Sequence, residues 1–121
     1  MKELERKLGY RFNNKQLLKN ALTHSSYANE NRGEGMPSNE RLEFLGDSVL
    51  GFVTAKYLYA AEPALPEGRM TRLRAELVCE QSLYGVAQDL ELGQYLRMGH
   101  GEEKNGGRKR ASILADAVEA V

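Results

Sequence analysis

The chain has 121 residues, with 17 Lys+Arg against 17 Asp+Glu, two His and one Cys, and with 41% hydrophobic and 28% charged residues. That composition fits one ordinary globular domain with a modest core, and a net charge of zero leaves only local charge as an electrostatic route to a nucleic acid. The single cysteine, Cys79, excludes an internal disulfide framework and a cysteine-based zinc site and fits a reducing, cytoplasmic setting. The first residues, Met1-Lys2-Glu3-Leu4-Glu5-Arg6-Lys7, lack the apolar stretch of a signal peptide. No apolar run reaches the roughly 18–20 residues of a membrane span, so no membrane partner is expected.

Strand signals are scarce and helix signals frequent. Lys2–Leu8 reads as a short helix with Leu4 and Leu8 on one face and Gly9 as its stop. Asn14 can cap a second helix carrying Leu17, Leu18, Ala21 and Leu22. Residues 29–38 form a polar loop, after which Ser38 or Asn39 can cap a long helix running to about Ala60. Pro63 and Pro66 break it. The spacing predicts two more helices, Met70–Cys79 and Gln81–Leu90, with Leu73, Leu77, Leu83, Val86 and Leu90 facing inward. Gly99–Arg110 reads as a Gly-rich basic loop, and Ser112 can cap a last helix through Val121. That helix has Ile113, Leu114, Ala117, Val118 and Val121 as its apolar residues and meets no Gly, Pro or polar stop. One all-α domain over residues 1–121, cut short at its C-terminus, is expected.

The helix that starts near Asn39 holds the most informative residues. Glu40, Glu43 and Asp47 are spaced i, i+3, i+7 and share one helical stripe. Around them stand Leu42, Phe44, Leu45, Val49, Leu50, Phe52 and Val53. A helix apolar nearly all round is normally buried, and buried charges are costly unless paired or bound to a metal. Asp116 and Glu119 stand i, i+3 on the last helix. If the two acidic faces meet, four carboxylates converge and must take up protons or bind cations. Oxygen-only ligands favour Mg²⁺ or Mn²⁺ over zinc. Two such ions roughly 4 Å apart can activate water and stabilise a leaving oxygen in phosphodiester cleavage. Taken alone, Asp116 and Glu119 also fit a solvated helix face, and Glu40 also fits an ordinary first-turn acid favoured by the helix dipole. A di-iron bundle needs Glu-x-x-His pairs, but Ala21 and Arg97 stand three residues before His24 and His100.

The run Asn39-Glu40-Arg41-Leu42-Glu43-Phe44-Leu45-Gly46-Asp47-Ser48-Val49-Leu50 resembles the signature of the ribonuclease III family. Ala21-Leu22-Thr23-His24-Ser25-Ser26-Tyr27-Ala28 resembles the family's second-helix segment. Ser112-Ile113-Leu114-Ala115-Asp116-Ala117-Val118-Glu119-Ala120 resembles its second acidic motif. The three occur in the family's order and the similarity covers essentially the whole chain.

The resemblance implies an all-helical endonuclease domain that cuts double-stranded RNA as a homodimer, in the processing of ribosomal RNA precursors and other structured RNAs. It implies products with 5′-phosphate and 3′-hydroxyl ends. It assigns Mg²⁺, with Mn²⁺ as a substitute, to Glu43, Asp116 and Glu119, and makes Asp47 and Glu119 the residues needed for hydrolysis. Phe44 matches an aromatic of the family's dimer interface, though plain core packing would also account for it. Glu67 matches an acid near the RNA cleft, or is simply a loop acid after Pro66. Arg108, Lys109 and Arg110 could hold phosphates or form a solvated loop. Bacterial members usually continue into a double-stranded RNA-binding domain, and none lies within these residues. A non-catalytic relative would be expected to have lost one or more of the four carboxylates, and all four are present. His24 reads as a structural hydrogen-bonder, Tyr27, Tyr84 and Tyr95 as packing residues, and Cys79 as a small buried hydrophobe.

Overall fold

Gly9 ends the first helix in the left-handed conformation (φ 70°) that a residue without Cβ adopts freely. From there the chain alternates helices and short links. The structure is a computed structural model and describes residues 1–121. Eight α-helices follow in order: α1 (Lys2–Leu8), α2 (Lys15–Ala21), α3 (Ser25–Glu30), α4 (Glu40–Tyr59), α5 (Glu67–Val78), α6 (Glu80–Asp89), α7 (His100–Lys104) and α8 (Ala111–Ala120). Single 3₁₀ turns occupy Arg32–Glu34, Leu92–Tyr95 and Gly107–Lys109. There is no strand, only an isolated parallel bridge between Thr23 and Arg97. No helix is long and apolar enough to cross a membrane.

The all-α expectation therefore holds, with local differences. Asn14 caps α2 as expected, its Oδ1 accepting the Gln16 N–H at 3.0 Å. Two short helices go beyond the expected elements. One is α3, capped by the His24 ring rather than by a small polar side chain. The other is α7, inside the stretch expected to be a basic loop. Ser112 is no cap, because α8 already begins at Ala111.

Helix α8 runs through the middle of the core. Its Ile113, Leu114 and Ala117 pack with Leu4, Leu18 and Leu22 from the first two helices and with Ala87, Leu92 and Leu96 from the α6 region. Each fully buried leucine contributes about 1.5–3 kcal/mol. Beneath α1, the nearly buried Glu5 carboxylate accepts from Phe12 N–H at 2.6 Å and from Lys15 Nζ at 2.7 Å, tying α1 to the start of α2.

Three expectations of burial fail. Leu77 and Val86 are exposed. So is Cys79, which sits at the α5–α6 junction with its thiol against Glu76 O and Ser82 Oγ. The largest failure is α4, where only Leu58 is buried. Phe44 is 80% exposed, Phe52 67% and Tyr57 74%, with Leu45, Val49 and Val53 also open. Within the chain α4 packs chiefly against α8 and α5. Its apolar pattern records how much surface needs cover, and this chain supplies that cover on one side only.

Candidate active site

Glu43 lies on the partly covered side of α4, facing α8. The helix is fixed at its start by Asn39, which is buried. Asn39 Nδ2–H donates to Ala21 O at 3.0 Å and Asn39 N–H donates to Thr23 O at 2.8 Å. The Asn39 carbonyl accepts the Glu43 N–H at 2.8 Å. The side chain is thus spent on fastening α4 to the α2–α3 link rather than on capping, which falls to Ser38 Oγ through a long 3.4 Å contact with Glu40 N–H.

Helix α8 reaches α4 at Gly46. A Cβ built there would lie 1.6 Å from the Glu119 carbonyl oxygen and 2.6 Å from its carbon. Only a residue without a side chain permits that approach. With Ile113, Leu114 and Ala117 held in the core, the half-buried Asp116 and Glu119 are turned to face α4. Carboxylate oxygens of Glu43, Asp116 and Glu119 then lie within 4.8 Å of one another. Asp47, one turn on from Glu43 and more exposed, is within hydrogen-bond reach of Glu119.

Crowding makes ionisation costly. Glu119 is pushed up to about 7, first by burial, then by its bond to Asp47 and the charges of Asp47, Glu43 and Asp116. Glu43 is also raised, first by burial and next by Asp116. Burial raises Asp116 most strongly; its hydrogen bond with Glu43 pulls it down, the Glu80 charge pushes it up and the His24 charge pulls it down. Such a group holds a shared proton or a cation near neutral pH. Three convergent carboxylates offer hard oxygen donors and no nitrogen or sulfur, a set suited to Mg²⁺ or Mn²⁺.

The other candidate residues are placed less centrally. Glu40 is exposed in the first turn of α4, and its charge reaches Glu43. Glu67 belongs to the first turn of α5, not to a loop. It lines a cavity of about 450 Å³ with Phe52, Leu58 and Met70, and is not one of the three convergent acids. Arg108 is committed inside the chain. Its Nε–H donates to Glu103 at 2.6 Å, and Nη1 donates to the carbonyls of Gly93 at 2.8 Å and Leu96 at 2.7 Å. Arg110 pairs with Glu102 at 2.9 Å. Arg108 is thus not the solvated loop cation that the spacing allowed, while Arg110 is exposed and Lys109 alone of the run forms no ion pair. Phe44 lies on the open face of α4, so plain core packing within the chain does not account for it.

Sequence reasoning had no role for Gly46 beyond the motif, nor for Asn39 beyond capping. For Gly46 there was a signal: a glycine inside a helix costs up to about 1 kcal/mol relative to Ala and needs a packing reason. Asn39 gave none, since an asparagine before a helix is an ordinary cap.

Comparison with known proteins supplies the family. Residues 14–121 match the family model described as Ribonuclease-III-like. The chain is 54% identical over 120 residues to "Ribonuclease 3" of Oceanobacillus iheyensis, covering 99% of this chain and 53% of that protein. It is 58% identical over 118 residues to "Ribonuclease 3" of Caldanaerobacter subterraneus, covering 98% and 51%. The chain thus spans about half the length of the curated relatives it matches. Among solved structures it superposes on the nuclease domain of ribonuclease III from Campylobacter jejuni with a TM-score of 0.87 and 45% identity, covering 98% of this chain and 78% of that one. That protein is described as flexible in a region involved in dimer formation. Matched in sequence and in fold over nearly all of its residues, the chain belongs to the ribonuclease III family, with the fold of that family's nuclease domain.

Proposed function

We propose that the chain is a divalent-metal-dependent endonuclease domain that cuts double-stranded RNA as a homodimer, leaving 5′-phosphate and 3′-hydroxyl ends. The observation that carries this reading is the convergence of Glu43, Asp116 and Glu119 across the α4–α8 seam, with Asp47 near enough to raise the pKa of Glu119.

Glu43, Asp116 and Glu119 would hold the ion. When bound, Mg²⁺ supplies charge neutralisation at the scissile phosphate and lowers the cost of ionising a nearby water. The chain's own residues do the rest. Glu119, raised to about 7, lies in the range where a carboxyl can exchange protons at neutral pH. Asp47 stands beside it and helps to hold its pKa up. In the net reaction a water oxygen forms a bond to phosphorus, the P–O3′ bond breaks, and a proton ends on the 3′ oxygen. No covalent enzyme intermediate is required.

The open face of α4 supports the dimer. Contiguous exposed aromatic and aliphatic residues of this extent mark a contact surface, and Phe44 stands at one end of it. A two-fold dimer also suits a duplex, whose strands are related by near two-fold symmetry. The deciding test is to incubate the protein with an end-labelled RNA duplex in Mg²⁺ and in chelator. Metal-dependent cuts in both strands with 5′-phosphate ends are expected, and uncut duplex in Mg²⁺ would refute the reading. Structured RNA precursors, in a cytoplasmic setting, are the substrates this reading implies.

A further inference from the structure

Two asparagine side chains cross between the end of α2 and the start of α4. Asn20, in the last turn of α2, spends both amide hydrogens on the segment before α4. Its Nδ2 donates to Pro37 O and to Ser38 O, each at 2.9 Å. Asn39 answers in the opposite direction. Its Nδ2 donates to Ala21 O at 3.0 Å and its backbone N–H to Thr23 O at 2.8 Å. Four hydrogen bonds thus clasp residues 20–23 to residues 37–39. The segment they grip is itself fixed. Thr23 is fully buried, and its hydroxyl donates to Lys19 O at 2.6 Å. On its far side, His24 N–H donates to Arg97 O at 2.9 Å and Arg97 N–H to Leu22 O at 2.7 Å.

The clasp ends one turn from the acid cluster. The Asn39 carbonyl accepts from Glu43 N–H at 2.8 Å, so the backbone of Glu43 moves with Asn39. Further along α4, Gly46 meets the Glu119 carbonyl. That second contact is steric. It limits how near α4 and α8 come, and it leaves α4 free to pivot about Gly46. Glu43 lies between the two points. With the clasp closed, the first turn of α4 has one position, and the Glu43 carboxylate stands within 4.8 Å of those of Asp116 and Glu119. With it open, the turn can swing and Glu43 swings with it. A ligand set tolerates a displacement of only about 0.5 Å.

We infer that Asn20 and Asn39 are positioning residues for cation binding: their crossed amides hold the first turn of α4 against the α2–α3 link and so fix Glu43 opposite Asp116 and Glu119. This rests on the metal-site reading above and adds to it the two side chains that set one ligand's place. Both act through Glu43, and neither is a ligand.

The test uses the whole chain and Mn²⁺ as probe, with free ion read by electron paramagnetic resonance well below every melting midpoint. Asn20 is only half-buried, so Asn20→Ala removes its two bonds with little disturbance of the core. It should bind Mn²⁺ about ten-fold more weakly. In the cation-free protein its Asn39 and Glu43 amide protons should exchange about ten-fold faster, while that of Leu83 in α6 keeps its rate. Asn20→Gln, which returns an amide donor, should recover part of the Mn²⁺ affinity. Lys15→Ala is the control. It strips the nearly buried Glu5 of its ion pair and lowers stability away from α4, so it should bind Mn²⁺ as wild type does. Wild-type affinity in Asn20→Ala would overturn the proposal. So would an equal loss in Lys15→Ala, which would make the effect one of general stability. Should Asn20→Ala not fold, Asn20→Ser is read in its place against the same outcomes. Wild type that binds no Mn²⁺ would sink the metal-site reading together with this one; wild type and Asn20→Ala that bind alike would sink this one alone.

Discussion

Gly46 and Glu119 touch through their backbones: a methyl group on Gly46 would stand 1.6 Å from the Glu119 carbonyl oxygen. The two acidic helices therefore meet at a contact that cannot widen without moving Glu43 away from Asp116 and Glu119. Gly46→Ala should force α4 and α8 apart. Overpacking of this kind costs about 1–3 kcal/mol, to be read by chemical denaturation. The functional loss should exceed the loss of stability, with Mn²⁺ affinity falling even at temperatures where the variant stays folded. Unchanged Mn²⁺ binding in folded Gly46→Ala would show that the seam does not set the acid geometry.

Glu119→Gln separates chemistry from stability. It keeps the shape and removes the charge most strained by its neighbours. In chelator at pH 8 the variant should melt several degrees above wild type, because one repelling anion is gone. Cleavage of duplex RNA should drop by more than about 100-fold, while duplex binding persists. A lower melting temperature for Glu119→Gln would mean that the carboxylate is stabilising as it stands.

The pH dependence of the cation-free protein has two limbs. Glu119, Glu43 and Asp116 have pKa values raised by folding, so their contribution is fully present below the ordinary carboxylate range and is lost as pH rises through their folded values, which for Glu119 is about 7. Glu5 and Glu30 are lowered, Glu5 first by Lys15 and Glu30 first by the His100 N–H. Their contribution is present above the ordinary range and is lost as pH falls through their folded values. Thermal melts in chelator should therefore peak near the ordinary carboxylate range, at about pH 4–5, and fall toward about pH 7, and Mg²⁺ should remove the decline on the alkaline side. A melting temperature that climbs from pH 6 to 8 in chelator would contradict this balance.

On the open face of α4, Phe44→Glu and Phe52→Glu place charge on a surface expected to meet a second copy. Sedimentation should show wild type as a dimer and both variants shifted to monomer, with Mn²⁺ affinity retained because the acids point the other way. Monomeric wild type at tens of micromolar would leave this face without its proposed partner.

Arg108→Ala should unfold more readily than its surface position suggests. It would take a charged donor from the Leu96 carbonyl, leave the Gly93 carbonyl with only the Leu96 N–H, at about 1–3 kcal/mol for a buried group left unpaired, and free Glu103. Arg108→Lys cannot reproduce a fork that bridges two carbonyls and a carboxylate, so it should recover little. If Arg108 mainly served RNA, its replacement would leave the denaturation midpoint unchanged.

Much of this was legible from residue order alone. Gly9 and Asn14 act through backbone chemistry within three residues, so they could be read locally. Glu43, Asp47, Asp116 and Glu119 were readable as i, i+3 and i, i+4 pairs, although their meeting depends on how two helices separated by about half the chain pack. What stayed hidden was which side of α4 the chain covers. Periodicity marks apolar surface without naming its partner, so the helix looked buried when its aromatic side is open. The basic run left two readings open for a related reason: charge composition does not show that Arg108 is paired with Glu103.

Helix α8 faces two ways, with Ile113, Leu114 and Ala117 in the core and Asp116 and Glu119 in the acid cluster. Any ion or chelating compound that bridges the α4–α8 seam also clamps the hydrophobic centre of the fold. Its binding free energy adds to the unfolding free energy as RT ln(1 + [L]/Kd). Melting temperature can therefore serve as a substrate-free gauge of site occupancy, so that inhibitors aimed at the carboxylates could be screened without any RNA.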